Sequence, residues 1–136
     1  MRTGTAVAII AFANMKVNDR ERTFSRVFRA LGDRTRLRIL ALLRGGEVCV
    51  GDLVATLRVP QPTASRHLAY LRRAGLVLVR EQGLRRYYRL APVSDAFHAK
   101  VLECLATCCA DLTDCARDLE RLARMSKRKD APCRRT

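Results

Sequence analysis

The amino-acid sequence predicts a mainly α-helical domain with one β-hairpin, arranged as a winged helix-turn-helix. Apolar residues recur at helical spacing through four segments between residues 18 and 74. They alternate with polar residues between 76 and 90, and return to helical spacing after residue 94. The third and fourth helical segments are separated by the short turn Arg58-Val59-Pro60. A helix pair joined by such a turn and followed by a hairpin is typical of this fold class.

Polar residues and glycines indicate where the first two helices begin and end. Asn18 or Asp19 can cap the first helix through its side-chain oxygen, and Gly32 is a suitable residue to end it. Asp33 can cap the second helix, which ends before the pair Gly45-Gly46.

The helix-turn-helix itself is predicted over residues 51–57 and 61–74, with Gly75 as the C-terminal stop. The segments LVLVRE and LRRYYRL then flank Gln82-Gly83. Their alternation predicts a two-stranded hairpin with a short glycine-containing turn at that dipeptide.

Helical spacing from Ser94 to about Arg124 predicts one long C-terminal helix. This helix is more apolar than a small monomer can cover. We therefore expect a homodimer that forms through the first and last helices.

We divide the 136 residues into three regions. Residues 1–17 are an N-terminal extension, residues 18–124 the winged helix-turn-helix DNA-binding and dimerisation domain, and residues 125–136 a basic disordered tail. The apolar run at residues 6–13 is too short to span a bilayer. A signal peptide is the weaker alternative for it, since so basic a composition suits a cytoplasmic protein better.

The charge indicates a polyanionic partner. The chain contains 27 Lys and Arg but only 13 Asp and Glu, which gives a net charge of +14. Such a field favours nucleic acid or an acidic membrane surface, and the alternative is a basic surface with no particular partner. Together with the helix-turn-helix, it predicts binding to double-stranded operator DNA rather than to a membrane.

The second helix of this motif enters the major groove, where its N-terminal residues reach the base edges. If Ala64, Leu68 and Leu71 form the core face of this helix, its remaining surface carries mainly polar side chains. Arg66 is the best candidate for guanine, whereas His67 is as easily a packing residue. The residues expected to contact DNA are Gln61, Thr63, Ser65, Arg66, His67, Tyr70 and Arg73 on this helix and Arg85 and Arg86 on the hairpin.

Four segments resemble the ArsR/SmtB family of metal-responsive repressors. They are LGDRTRLRILALL, EVCVGDL, PQPTASRHLAYLRRAGLV and RRYYRL, and the resemblance covers residues 29–90. It implies a cytoplasmic winged-helix homodimer, not an enzyme, which represses a detoxification operon. The repressor would leave its operator when a toxic metal or metalloid binds.

The sequence departs from two familiar sites of this family. The best-known arsenite sensors carry ELCVCDL, but here Cys49 remains while Gly51 replaces its partner, and one thiol cannot make that site. The zinc sensors use Asp, His and Glu on the last helix, which here offers only His98. Pro60 also replaces the serine that usually precedes the fourth helix, so that helix loses a side-chain cap.

The segment CLATCCADLTDC holds four of the six cysteines. A smaller set of arsenite repressors resembles this chain in carrying an adjacent cysteine pair and a third cysteine on the C-terminal helix. The resemblance implies that Cys108, Cys109 and Cys115 bind As(III) or Sb(III) as the inducer, with no catalytic cofactor. Cys104 lies four residues before Cys108, one helical turn away, which makes it a candidate third or auxiliary ligand. Soft thiolates also suit cadmium or lead, which remain alternatives.

Helix geometry raises an objection to this site. On an unbroken helix, Cys108 and Cys115 share a face but lie about 10 Å apart along the axis. Either the helix bends or unwinds around residues 110–114, or Cys115 comes from the partner subunit. We prefer unwinding, because Asp111, Thr113 and Asp114 compete for backbone hydrogen bonds. Coordination would then reshape the helix and change the spacing of the two reading helices.

Three other roles compete for the cysteines. They can pack a dimer helix as small apolar residues, or form a disulfide in a redox-sensing repressor of the same fold. A thiol-dependent reductase is the remote alternative. It needs an activated thiolate, which the nearby Asp111 and Asp114 oppose.

Overall fold

The computed structural model describes residues 18–127, so the predictions for residues 1–17 and 128–136 lie outside it. Within that span no helix is long and apolar enough to cross a membrane. The elements in chain order are α1 (18–31), α2 (Arg34–Leu43), β1 (Val48–Cys49), α3 (Val50–Leu57), α4 (Gln61–Arg73), β2 (Val77–Gln82), β3 (Arg85–Leu90), α5 (Ala96–Asp111) and α6 (Thr113–Ser126).

The predicted start of α2 is confirmed, whereas that of α1 is wrong. Asp33 caps α2, and its Oδ1 accepts a hydrogen bond from the backbone N–H of Arg36 at 3.0 Å. Asn18 and Asp19 are already helical and therefore do not stand in front of α1 as caps. Gly32 follows α1 in a turn, as expected.

The sheet has three strands rather than the predicted two, in the order β1-β3-β2 with antiparallel pairing. β1 adds Val48 opposite Tyr88, a pairing between residues forty positions apart that no local pattern reveals. Gln82 pairs with Arg85, so the turn is Gly83-Leu84, one residue later than predicted. Gly83 takes φ +61°, which glycine adopts without strain.

The helix-turn-helix follows the sequence closely. Ala64, Leu68 and Leu71 are fully buried and attach α4 to the core, as predicted. Pro60 precedes α4 and makes no side-chain cap. Gly75 follows α4 at φ +77°, where a side chain would be strained, and so ends it as expected.

The prediction of one long C-terminal helix is wrong, because the chain breaks at Leu112. Leu112 has φ −89° and ψ 116°, which is extended backbone, and it caps both α5 and α6. Its carbonyl accepts from the backbone N–H of Cys115 at 3.1 Å, which starts the new helix. Asp114 binds Arg34 of α2 at 2.9 Å and thereby attaches the first turn of α6 to the domain. α6 then continues to Ser126, two residues beyond the expected domain boundary at 124.

Candidate thiol site and nucleic-acid interface

The break at Leu112 brings Cys109 of α5 against Cys115 of α6. Both side chains are buried, Cys115 completely, and they pack in the same small cluster. Ala41 of α2 and the side chain of Leu112 complete a small apolar cluster apart from the main core. The break falls within residues 110–114, where we expected unwinding, and it belongs to the fold itself.

Burial keeps these two thiols protonated. Desolvation, together with the neighbouring Cys109 thiol and Asp118, raises the pKa of Cys115 to about 11. Desolvation also raises the pKa of Cys109, although the neighbouring Cys115 thiol and the charge of Arg44 partly oppose this. At neutral pH the buried pair therefore consists of thiols rather than thiolates.

Cys108 and Cys104 form a second pair on the exposed side of α5. Their sulfurs lie 4.0 Å apart across one helical turn. The hydrogen bond with Cys104 is the main cause that raises the pKa of Cys108. The four free thiols thus form an exposed pair and a buried pair, linked through the adjacent residues Cys108 and Cys109.

The structure therefore brings together two of the three predicted ligands and leaves the third on the neighbouring face. Among residues 18–127 no group of three or more Cys, His, Asp or Glu side chains stands ready to hold a metal ion. Cys49 is buried in β1, at the N-terminal end of α3, rather than on the C-terminal helices. His98 is buried near the start of α5, where its Nδ1 accepts from the backbone N–H of Ser94 at 3.3 Å.

A buried charge lies next to the thiols and was not predicted from the sequence. Asp118 of α6 is fully buried, and its two oxygens accept hydrogen bonds from Arg38 of α2 at 2.7 and 2.8 Å. Arg121 lies 3.3 Å from the same carboxylate. The signal was the helical spacing that puts Asp118 on one face with Cys115, Leu122 and Met125, the face that α6 packs against the domain.

Most of the predicted DNA-contacting side chains lie on the outer surface of the helix-turn-helix and the hairpin. Thr63 and Arg85 are half-buried, and Arg86 faces Glu81 at 3.3 Å while remaining open to solvent. The exposed members of the set are Gln61, Ser65, Arg66, Arg73 and Arg86.

His67 and Tyr70 instead lie against Arg36 of α2. The Arg36 guanidinium stacks 4.1 Å above the centre of the Tyr70 ring, and its Nη1 is 3.4 Å from His67 Nδ1. Asp33 is 3.7 Å from the same nitrogen. These contacts hold α4 on α2, so both residues have a packing role in the described structure.

Comparisons with known proteins indicate the family to which this chain is related. Residues 33–78 match the model of the family described as bacterial regulatory protein, arsR family. The chain is 39% identical over 107 residues to the arsenic resistance transcriptional regulator ArsR1 of Pseudomonas putida, which covers 78% of this chain and 82% of that protein. It is 49% identical over 78 residues to the arsenical resistance operon repressor of Escherichia coli, which covers 57% of this chain and 67% of that protein.

The fold is also similar to solved structures. One is the homodimeric winged helix-turn-helix DNA-binding domain of Mb0332 from Mycobacterium bovis, a possible ArsR-family transcriptional regulator. The TM-score is 0.58 at 33% identity, and the match covers 68% of this chain and 80% of that one. The matches to the two relatives extend over at least two thirds of each relative's length, at more than 30% identity. The chain therefore belongs to the arsR family of bacterial regulatory proteins, which are DNA-binding transcriptional regulators rather than enzymes.

Proposed function

We propose that this protein is a homodimeric repressor that binds operator DNA and leaves it when arsenite or antimonite binds Cys108, Cys109 and Cys115. The observation that carries the proposal is the thiol pair Cys109–Cys115 at the corner between α5 and α6. Two relatives named for arsenic resistance add support. Because Cys108 adjoins Cys109, a local rearrangement at the end of α5 would bring its thiol to this pair as the third ligand.

Only the exposed member of the trio has to move far. Three sulfurs around one ion must lie within about 4 Å of each other, using a metal–thiolate bond of about 2.3 Å. Cys109 and Cys115 already pack together, whereas the sulfur of Cys108 lies 4.0 Å from that of Cys104. Cys108 is exposed, so little packing opposes its rotation toward the buried pair. Cys104 would hold Cys108 before loading, which is the auxiliary role we propose for it.

The protonated thiols favour arsenite over divalent cations. Arsenite condenses with three thiols to give three arsenic–sulfur bonds and three waters, As(OH)₃ + 3 RSH → As(SR)₃ + 3 H₂O, with no net release of protons. A divalent ion must instead expel three protons, M²⁺ + 3 RSH → [M(SR)₃]⁻ + 3 H⁺. Raised thiol pKa values oppose the second reaction, so cadmium and lead fit this site less well.

The exposed apolar surface supports a homodimer through α1 and α5. Phe24 and Phe28 of α1 contact Phe97 of α5 with ring centres 4.5 and 5.8 Å apart, so the two helices form one surface. Phe28 is 61% exposed and Val93 is also exposed, which leaves apolar area for a partner to cover. Because of the break at Leu112, the helix proposed to pair with its twin is α5 rather than the whole C-terminal region.

A redox-sensing repressor is the second candidate. The packing of Cys109 against Cys115 favours it, since hydrogen peroxide would oxidise the two thiols to a disulfide and be reduced to two waters. The same operator complex would then respond to peroxide. Complete burial of Cys115 and its raised pKa oppose this reaction, because the thiolate is the attacking species.

Single Cys→Ser variants test the ligand set. Serine at Cys108, Cys109 or Cys115 should leave operator affinity within about threefold of wild type but raise the arsenite concentration for half-release by at least ~10-fold, because one of three bonds is lost. Fluorescence anisotropy of labelled operator measures both quantities. Cys104→Ser, from the same segment, tests the auxiliary role and should shift half-release by less than ~3-fold, because Cys104 forms no bond to arsenic in this proposal. Normal release by all three variants would reject the site, and release by peroxide but not arsenite would favour the redox candidate.

The dependence of release on pH separates the inducer classes. Between about pH 6.5 and about pH 8, the arsenite concentration for half-release should change less than ~3-fold, since no protons are exchanged. The cadmium concentration for half-release should fall by at least ~10-fold over the same rise, because each proton expelled contributes up to ~10-fold per pH unit. Operator affinity without inducer is measured at each pH as the reference. A steep arsenite profile would contradict the proton balance.

Arg66→Ala tests the reading helix. Loss of a two-pronged contact to guanine costs about 1–3 kcal/mol, so operator affinity should fall by ~5- to 150-fold at fixed salt. Arg117→Ala is the control, because it removes the same charge from an exposed site on α6, outside the helix-turn-helix. Equal losses from the two variants would mean that only net charge matters and that Arg66 reads no base.

A further inference from the structure

We infer that Asp118 and Arg121 are positioning residues that transmit inducer binding at Cys115 to the turn of the helix-turn-helix. The inference rests on the proposed function and describes how the thiol site would be coupled to DNA. It concerns residues that bind neither the inducer nor the operator. Its basis is a buried hydrogen-bonded cluster that joins α6, α2 and the end of α3.

Asp118 is rigidly linked to the thiol site. It lies three residues after Cys115 on the same face of α6, and both side chains are fully buried. Since the two are within one helical turn, a displacement of Cys115 carries Asp118 with it. The carboxylate is held by both oxygens, at 2.7 and 2.8 Å from Arg38, so it cannot shift without disturbing that pair.

The same arginines hold the last carbonyls of α3. Arg38 Nη2 donates to the carbonyl of Leu57 at 3.1 Å, and Arg121 Nη1 donates to the carbonyl of Thr56 at 2.5 Å. The last carbonyls of a helix have no partner within it and must be satisfied from elsewhere. Side chains of α2 and α6 therefore replace the intrahelical partners that α3 lacks at its end, and Asp118 fixes where those side chains stand.

The held carbonyls lie where the chain turns into the reading helix. Arg58 follows Leu57 in the left-handed region at φ 57°, an unusual conformation for a residue with a side chain. Pro60 and α4 come directly after it. A change in the bonds to Thr56 and Leu57 thus acts on the angle between α3 and α4. In a dimer, this angle sets how the two reading helices meet adjacent turns of DNA.

Coordination at the thiols would pull on this cluster. Cys108 and Cys109 are adjacent and lie about 100° apart around α5, so drawing both thiols to Cys115 also requires the backbone at the α5–α6 corner to rearrange. Buried charge-assisted hydrogen bonds depend steeply on geometry and change between discrete arrangements rather than stretch. Movement of the first turn of α6 would therefore release or redirect Arg38 and Arg121, and with them the end of α3.

A neighbouring ion pair offers a matched control. Arg34 binds Asp114 at 2.9 Å and also ties α6 to α2, but this pair makes no hydrogen bond to α3. Loss of Arg34 weakens the attachment of α6 without touching the carbonyls of Thr56 and Leu57. Variants of Arg121 and of Arg34 therefore distinguish the link to the helix-turn-helix from the general attachment of α6 to the domain.

The test compares Arg121→Met, Asp118→Asn and the control Arg34→Met in the full chain. For each protein, operator affinity is measured by anisotropy with and without saturating arsenite, and bound arsenic is counted per subunit after gel filtration. Wild type should lose operator affinity by a factor within the ~5- to 150-fold range usual for coupled sites. Arg121→Met and Asp118→Asn should bind arsenic and operator like wild type, but arsenite should weaken their operator binding by less than a third of the wild-type factor. In Arg34→Met, arsenite should weaken operator binding by the full wild-type factor.

Reciprocity gives a readout that a general loss of stability would not change. If arsenite weakens operator binding, the operator must weaken arsenite binding by the same factor, and this factor should shrink equally in the coupling variants. Should Asp118→Asn fail to fold because Arg38 loses its buried partner, Arg121→Met decides alone. If arsenite at full occupancy weakens operator binding by Arg121→Met as much as by wild type, the inference is overturned but the proposed function is not. A wild-type protein that binds operator but is not released by arsenite would overturn the proposed function and the inference together.

Discussion

Leu112 adopts extended backbone between two helices, and both the thiol pair and the ion pairs of α6 with α2 depend on this break. On one continuous helix, residues 109 and 115 would lie about 9 Å apart along the axis and the thiols could not touch. The break lets α6 turn back onto α2, where Arg34 and Arg38 meet Asp114 and Asp118. The sequence of α6 thus carries its own attachment to the domain.

Local patterns were enough to predict the helix-turn-helix. Ala64, Leu68 and Leu71 repeat at three and four residues, and Gly75 can take a left-handed conformation, so α4 follows from its own sequence. β1 could not be predicted in this way, because two residues carry no periodicity and pair with β3 across the chain. The turn at Gly83-Leu84 was misplaced by one residue because register depends on strand pairing, which alternation alone leaves undetermined.

The thiol site was predictable in composition but not in geometry. The spacing of Cys104, Cys108, Cys109 and Cys115 identified the residue types, and Asp111, Thr113 and Asp114 indicated where the helix is weak. Which thiols meet depends on the direction that α6 takes after Leu112. That direction is set by ion pairs with α2, about eighty positions earlier in the chain. Asp118 was missed because an aspartate on an amphipathic helix is ordinarily exposed, and only its ion pair with the half-buried Arg38 makes its burial tolerable.

The central claim is that three thiols at the α5–α6 corner bind one metalloid, and arsenic K-edge X-ray absorption of the arsenite-loaded full-length protein tests it most directly. The account predicts three sulfur neighbours and no oxygen neighbour for each arsenic, at one arsenic per subunit. This requires Cys108 to leave Cys104 and join the Cys109–Cys115 pair. Arsenic with two sulfur neighbours and an oxygen would contradict it, because arsenic would then be held by a two-thiol pair only.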